Sequence, residues 1–150
     1  MDVKTVKPAK VFYHSEVTTL QGIHDVAVRE IENLYAEAEK NGLKEIAPMQ
    51  FVYYGCDDKP DTKFTLEIAI VVDEEKPYSG KYKFKDLDGF KCVSTIHKGN
   101  VNDLDKTYQK FMPELFKSGK KMTDESREVY HKYIQEDSPE NITEIQIGVN

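Results

Sequence analysis

Hydrophobic and polar residues alternate with a period of two along several stretches of this chain, and with a period of three to four along two others. The run Ala9-Lys10-Val11-Phe12-Tyr13-His14 is β-rich and alternates, with Pro8 marking its start. From about His24 to Asn41 the apolar positions Ala27, Ile31, Leu34, Tyr35 and Ala38 form one stripe of a helix, and Asn41-Gly42 stops it. Strands follow over Met49–Tyr54 and, after the turn-rich Asp57–Asp61, over Phe64–Val72. The order then recurs. Tyr82–Phe84 and Phe90–Ile96 read as strands flanking an Asp88-Gly89 turn. A helix from about Val101 to Ser118 carries Leu104, Tyr108, Phe111, Met112 and Leu115, with a kink expected at Pro113 and a stop at Gly119. Strands over Glu128–Tyr133 and Ile142–Val149 complete the chain.

The recurrence extends to residues. Displaced by 77 positions, Gly22 falls on Gly99, Gly42 on Gly119, Tyr53 on Tyr130 and Glu67 on Glu144. This predicts a tandem repeat of strand-helix-strand-strand units, about residues 9–72 and 82–149, related by a pseudo-two-fold axis. The linker Asp73–Gly80 is polar and short, and neither unit alone has enough elements to bury a core. The expected fold is therefore one α+β domain with both helices on one face of a largely antiparallel sheet.

Alternation turns this fold into a chemical expectation. Ile145, Ile147 and Val149 share one face of the last strand, and Glu144, Gln146 and Gly148 the other. In the matching strand, Leu66, Ile68 and Ile70 oppose Thr65, Glu67 and Ala69. With the apolar faces under the helices, Glu67 and Glu144 look out from the other side. The small residues Ala69 and Gly148 leave room above that face, and Tyr53 and Tyr130 on the preceding strands lie within side-chain reach. An aromatic cleft with an acid at its floor suits a lipophilic cation, through ring contact, cation–π attraction and charge neutralisation. Partial burial would raise the carboxyl pKa and make Glu144 a usable general acid. The alternative is that both glutamates are solvated residues of a half-exposed sheet. His97, at a strand-to-helix corner, is a candidate for the cleft rim or a structural histidine.

Composition narrows the partners. A net charge of −6 argues against direct nucleic-acid binding, and Met1-Asp2-Val3-Lys4 does not open a secretory signal. No apolar run approaches membrane-spanning length. Cys56 and Cys92 lack metal spacing, and His14, His24, His97 and His131 do not pair at ligand spacing. The expectation is a cytoplasmic protein with reduced thiols and no metal or cofactor.

The motifs Thr95-Ile96-His97-Lys98-Gly99, Arg127-Glu128-Val129-Tyr130 and Thr143-Glu144-Ile145-Gln146-Ile147 together resemble the gyrase-inhibitor-like family, which includes the effector-binding domains of multidrug-responsive bacterial regulators. The resemblance spans about Val11 to Val149 and implies an aromatic cleft for bulky hydrophobic or cationic molecules. It puts the family's functional acid on Glu144 and its characteristic tyrosine on Tyr130. Some members open strained cyclopropane-bearing toxins with such a Glu; others inhibit DNA gyrase. The chain departs from the family where Gly-Pro-Tyr is Gly99-Asn100-Val101, where Ile-Pro is Ile147-Gly148, and in having no tryptophan. The duplicated fold would fill the whole length, leaving no space for a helix-turn-helix.

Three functions follow as expectations. The first is a stand-alone small-molecule binder, with Glu144 as anchor, Tyr130, Tyr53 and Tyr54 as walls, and Glu67 and His97 alongside. The second is a hydrolase with Glu144 and Tyr130 as catalytic residues. The third is a protein that inhibits a partner through acidic loops.

Overall fold

The computed structural model describes residues 1–150 as two α-helices and eight β-strands. The strands are β1 (Lys4–Val6), β2 (Ala9–Thr18), β3 (Glu45–Tyr54), β4 (Phe64–Val72), β5 (Lys83–Leu87), β6 (Phe90–Lys98), β7 (Met122–Lys132) and β8 (Ile142–Val149). Helices α1 (Ile23–Lys40) and α2 (Leu104–Lys117) each follow a short 3-10 turn. All eight strands join one antiparallel sheet in the order β1-β6-β8-β7-β3-β4-β2-β5. Along the chain β1, β2, α1, β3 and β4 are followed by β5, β6, α2, β7 and β8, and β7 pairs with β3 at the middle of the sheet.

Two short connections bend this sheet. Lys7-Pro8 joins β1, at one end of the sheet, to β2, near the other; Asp88-Gly89 joins β5, at the far end, back to β6. Two intervening residues reach at most about 11 Å. The two ends of the sheet must therefore lie together at this point. They do: a side chain at Gly89 would run into the carbonyl oxygen of Val6 and the ring of Pro8. The sheet is curled, and one of its faces turns inward on itself. Asp88-Gly89 is accordingly no hairpin, because β5 pairs with β2 while β6 pairs with β1 and β8.

The two faces carry different cores. The outer face packs under the helices: Leu34 and Ala38 of α1 meet Phe51, Tyr53, Leu66, Ile68 and Ile70, and Phe111 and Leu115 of α2 meet Val93, Ile145, Ile147 and Val149. The helical stripes named from the sequence are the packed ones, since Ala27, Ile31 and Tyr35, and Leu104, Tyr108 and Met112, pack against the same clusters. The inner face holds a smaller cluster of Val11, Val52, Ala69, Val71 and Leu87. Gly42 and Gly119 end the helices at φ 68° and 74°, a conformation glycine adopts without a Cβ penalty. Helix α2 continues through Pro113 rather than breaking there.

The displacement of 77 holds in the middle strands and fails in the first. Val52 faces Glu67 as Val129 faces Glu144. Ser15, however, faces Glu67 while Ile96 faces Glu144, so the first strands of the halves are four residues out of step. Gly22 and Gly99 consequently differ, with φ −89° at the first and 105° at the second.

Candidate ligand-binding site

Strand register sorts the sequence-named residues onto two faces. Val52 is the cross-strand partner of Glu67, and Val129 that of Glu144; Tyr53 faces Leu66, and Tyr130 faces Thr143. Residues opposite one another in a sheet point to the same side. Glu67 and Glu144 thus lie on the inner face with Tyr54, and Tyr53 and Tyr130 on the helix-covered outer face. The expected cleft joining Glu144 to both tyrosines does not form. Nor is there room above Gly148, where Thr123, the backbone of Glu125 and the Phe90 ring fill the space.

Both inner-face glutamates are buried and neutralised. Lys4 of β1 pairs with Glu144, which also accepts hydrogen bonds from His131 (2.8 Å) and Gln146 (3.0 Å). Burial raises the Glu144 carboxyl pKa, but the hydrogen bonds from Lys4, Gln146 and His131 outweigh it and bring the group down to about 2. That is the opposite of a general acid. Glu67 pairs with Lys85, whose ammonium lies 4.6 Å from the Tyr13 ring centroid and 5.7 Å from that of Tyr54. Tyr54 therefore faces a cation that the fold already supplies. His97, buried on the outer face, donates from Nε2 to the carbonyl of Asn100 (2.8 Å), which leaves Nδ1 to accept from the Thr107 hydroxyl (2.7 Å). Both ring nitrogens are thereby occupied within the protein.

The two predicted tyrosines meet at a different acid. Tyr53 (β3) and Tyr130 (β7) both donate to Oε1 of Glu128, each at 2.8 Å, and Tyr108 of α2 donates to Oε2 at 2.6 Å. Glu128 lies on the same face of β7 as Tyr130, two residues away, and pairs across the sheet with Phe51. Only 6% of it is exposed. Burial first, and then the charge of Glu128, pushes the three phenols well above their ordinary pKa, so they remain donors. A carboxylate offers about four acceptor positions, and three are used here. Thr143, also facing Tyr130 across the sheet, is fully buried with a hydroxyl that has no partner.

Aromatic rings extend from this carboxylate to the surface. Phe64 lies 5.8 Å from Tyr53, Tyr53 6.5 Å from Phe51, Phe51 5.1 Å from Tyr130, and Tyr130 6.5 Å from Tyr133. Phe64 is 3% exposed and Tyr133 54% exposed. Cys56 is half-buried beside them, its thiol pushed up to about 11 by burial and by the charges of Asp57 and Glu128. A surface groove of about 740 Å³ lies apart from these residues, between the amino-terminal strand and α2, lined by Met1, Lys4, Thr95 and Lys117 among others. Most of its lining residues are polar or charged, and none of them is a tyrosine bonded to Glu128.

One further cluster brings His14, Glu16 and Glu30 within cation-binding distance of one another. Arg29 already pairs with Glu16 and Glu30, and Lys81 with Glu30 at 2.5 Å. Burial raises the Glu30 pKa, yet hydrogen bonds from Arg29, Lys81 and Tyr82 hold it at about 2. Glu30 and Glu144 together set an acid response. A carboxyl depressed below its unfolded value contributes stability that is complete above that value, 4.5, and is lost as pH falls through about 2. Urea midpoints are expected to be flat down to about pH 5 and then to fall toward pH 2, losing a few kcal/mol. Glu144→Gln should flatten that acid limb; an unchanged limb would contradict the assignment.

Residues 1–150 match the family described as the GyrI-like small molecule binding domain. The crystal structure of the EcmrR C-terminal domain superposes with a TM-score of 0.82 at 22% identity, covering 99% of this chain and 96% of that one. In the EcmrR–DNA complex the likeness has a TM-score of 0.81 at 22% identity, and this chain spans 56% of the EcmrR chain. SAV2435 bound to tetraphenylphosphonium gives 0.69 at 16% identity (99% and 93% covered), and a hydrolase from Listeria innocua 0.62 at 14% (99% and 91%). No curated protein matches the sequence. No helix is long and apolar enough to cross a membrane. The curled sheet, the two helices on its outer face and the full-length match assign the chain to one family: it belongs to the GyrI-like small-molecule-binding proteins.

Proposed function

We propose that this chain binds bulky lipophilic cations between its aromatic side chains, with Glu128 rather than Glu144 as the anionic anchor. One observation carries the reading. Of the four buried glutamates, Glu30 pairs with Arg29 and Lys81, Glu67 with Lys85 and Glu144 with Lys4, whereas Glu128 has no cationic partner. Its charge is stabilised by three neutral hydroxyls alone. A buried anion so placed gains most from a cation brought by a ligand, and the surrounding rings add contact area and cation–π attraction. Glu67, Tyr54 and His97 serve the fold in this reading. With two unpaired cysteines and an acidic net charge, a cytoplasmic binder that does not touch nucleic acid directly fits best.

The test is calorimetric titration with tetraphenylphosphonium, which a protein of the same fold binds. Saturable binding to the wild type that Glu128→Gln removes supports the anchor; equal binding to both rejects it.

A hydrolase is the second reading, favoured by the acceptor position left free on Oε2 of Glu128, where a water could be oriented against an electrophile. Mass spectrometry after incubation with a cyclopropane-bearing alkylator separates the two. Product formed by the wild type and not by Glu128→Gln indicates turnover; ligand recovered intact indicates a binder.

A further inference from the structure

The aromatic series ends on a residue that the fold leaves largely uncovered. Tyr133, just past β7, stands edge-on to Tyr130 with centroids 6.5 Å apart and planes at 86°. More than half of it is exposed, and so is Ile134 beside it. Its hydroxyl makes no hydrogen bond, unlike those of Tyr53, Tyr108 and Tyr130.

An exposed ring on a floppy loop would carry little meaning, but this loop is tied down. Asn141, fully buried, accepts from the backbone N–H of Ile134 (2.9 Å) and donates to the carbonyl of Gln135 (2.6 Å). Its own carbonyl accepts from Gly99 N–H, and the Glu136 carbonyl accepts from Val101 N–H ahead of α2. The loop is thus fixed to the start of the helix that supplies Tyr108. Glu136 and Asp137, on the same loop, set negative charge near the Tyr133 ring. A ring held in place, open to solvent and continuous through Tyr130 with the tyrosines on Glu128 provides contact area at little further entropic cost on binding.

We infer that Tyr133 is the outer aromatic wall of the site, a specificity-determining residue that meets the bulk of an aromatic cation whose charge is held by Glu128. This rests on the reading of Glu128 as anchor. Ring contact with a cation at a partly exposed position corresponds to about a tenfold change in affinity.

The experiment is titration of the full chain with tetraphenylphosphonium, comparing wild type with Tyr133→Ala, Tyr133→Phe and Glu128→Gln. Tyr133→Ala is expected to bind about tenfold more weakly, with an unchanged melting temperature because the side chain is exposed. Tyr133→Phe should bind within about twofold of wild type, since the hydroxyl is unused. If Tyr133→Ala binds like wild type while Glu128→Gln loses binding, the outer wall is refuted and the anchor stands. If Glu128→Gln binds like wild type, or the wild type shows no saturable binding, the anchor fails and the wall with it.

Discussion

Glu128→Gln is expected to weaken tetraphenylphosphonium binding by about 100-fold, while Glu144→Gln leaves it within about twofold. The contrast follows from what each carboxylate already touches. Glu144 is neutralised by Lys4 and further bonded by His131 and Gln146 on the inner face of the curl, so a ligand would have to displace a cation tethered to the same chain. Glu128 offers the other face an anion with three phenolic donors and no ammonium or guanidinium. Removing one partner of a desolvated charge pair costs about 2–5 kcal/mol, which sets the expected factor. The amide keeps the shape and one acceptor oxygen, so packing around Tyr53 and Tyr130 is retained. Isothermal titration of the two variants side by side checks the prediction; the reverse order of effects would move the anchor to Glu144.

The second large effect is on stability. Arg127→Met is expected to cost about 3 kcal/mol, or roughly 10 °C in Tm. Arg127 is 1% exposed on the inner face. Its Nε donates to Glu125 (2.7 Å), a terminal nitrogen donates to the carbonyl of Asp88 (2.7 Å), and its guanidinium lies 3.9 Å from the centroid of Phe90. Asp88 and Phe90 bracket the connection that brings the two ends of the sheet together, so this side chain fastens the curl to β7. Methionine restores the apolar stem but strands the Asp88 carbonyl and the Glu125 carboxylate. The latter is partly solvated and can be rehydrated, which holds the cost toward the low end for a broken buried pair. Denaturant midpoints check it. Cation affinity should be unaffected, since Arg127 lies on the face away from the tyrosines; a variant as stable as wild type would remove the fastening role.

Much of the fold was legible because alternation and helical stripes are local signals. The apolar stripes of both helices, the two stopping glycines and the long strands all rest on residues whose pattern holds over ten positions or so. Strand β1 is three residues long, and Lys4-Thr5-Val6 carries too little pattern to stand out. The curl depends on which strand lies at which edge, and no local signal at Asp88-Gly89 distinguishes a hairpin from a crossing between sheet ends.

The site was half legible, for a related reason. The sequence puts Tyr53 and Tyr130 on the strands before those of Glu67 and Glu144, yet adjacency alone does not say which face a residue takes, and the pairing of β3 with β7 that brings the two tyrosines together has no local signal. A one-residue slip in register exchanges the faces, and only the pairing of Val129 with Glu144 separates that glutamate from Tyr130. Glu128 had a signal of its own. It stands two residues before Tyr130, so any strand reading puts both on one side. Its place at the end of the polar run Asp124-Glu125-Ser126-Arg127-Glu128, however, carries no sign of burial. The neutralising role of Lys4 was invisible, because a contact across 140 positions leaves no trace in local pattern.

A crystal structure of the complex with tetraphenylphosphonium tests the central claim most directly. The cation should lie against Glu128, among the rings of Tyr53, Tyr108 and Tyr130, with Lys4 still paired to Glu144. Density beside Glu144 with Lys4 displaced, or in the groove between Lys4 and Lys117, would contradict it.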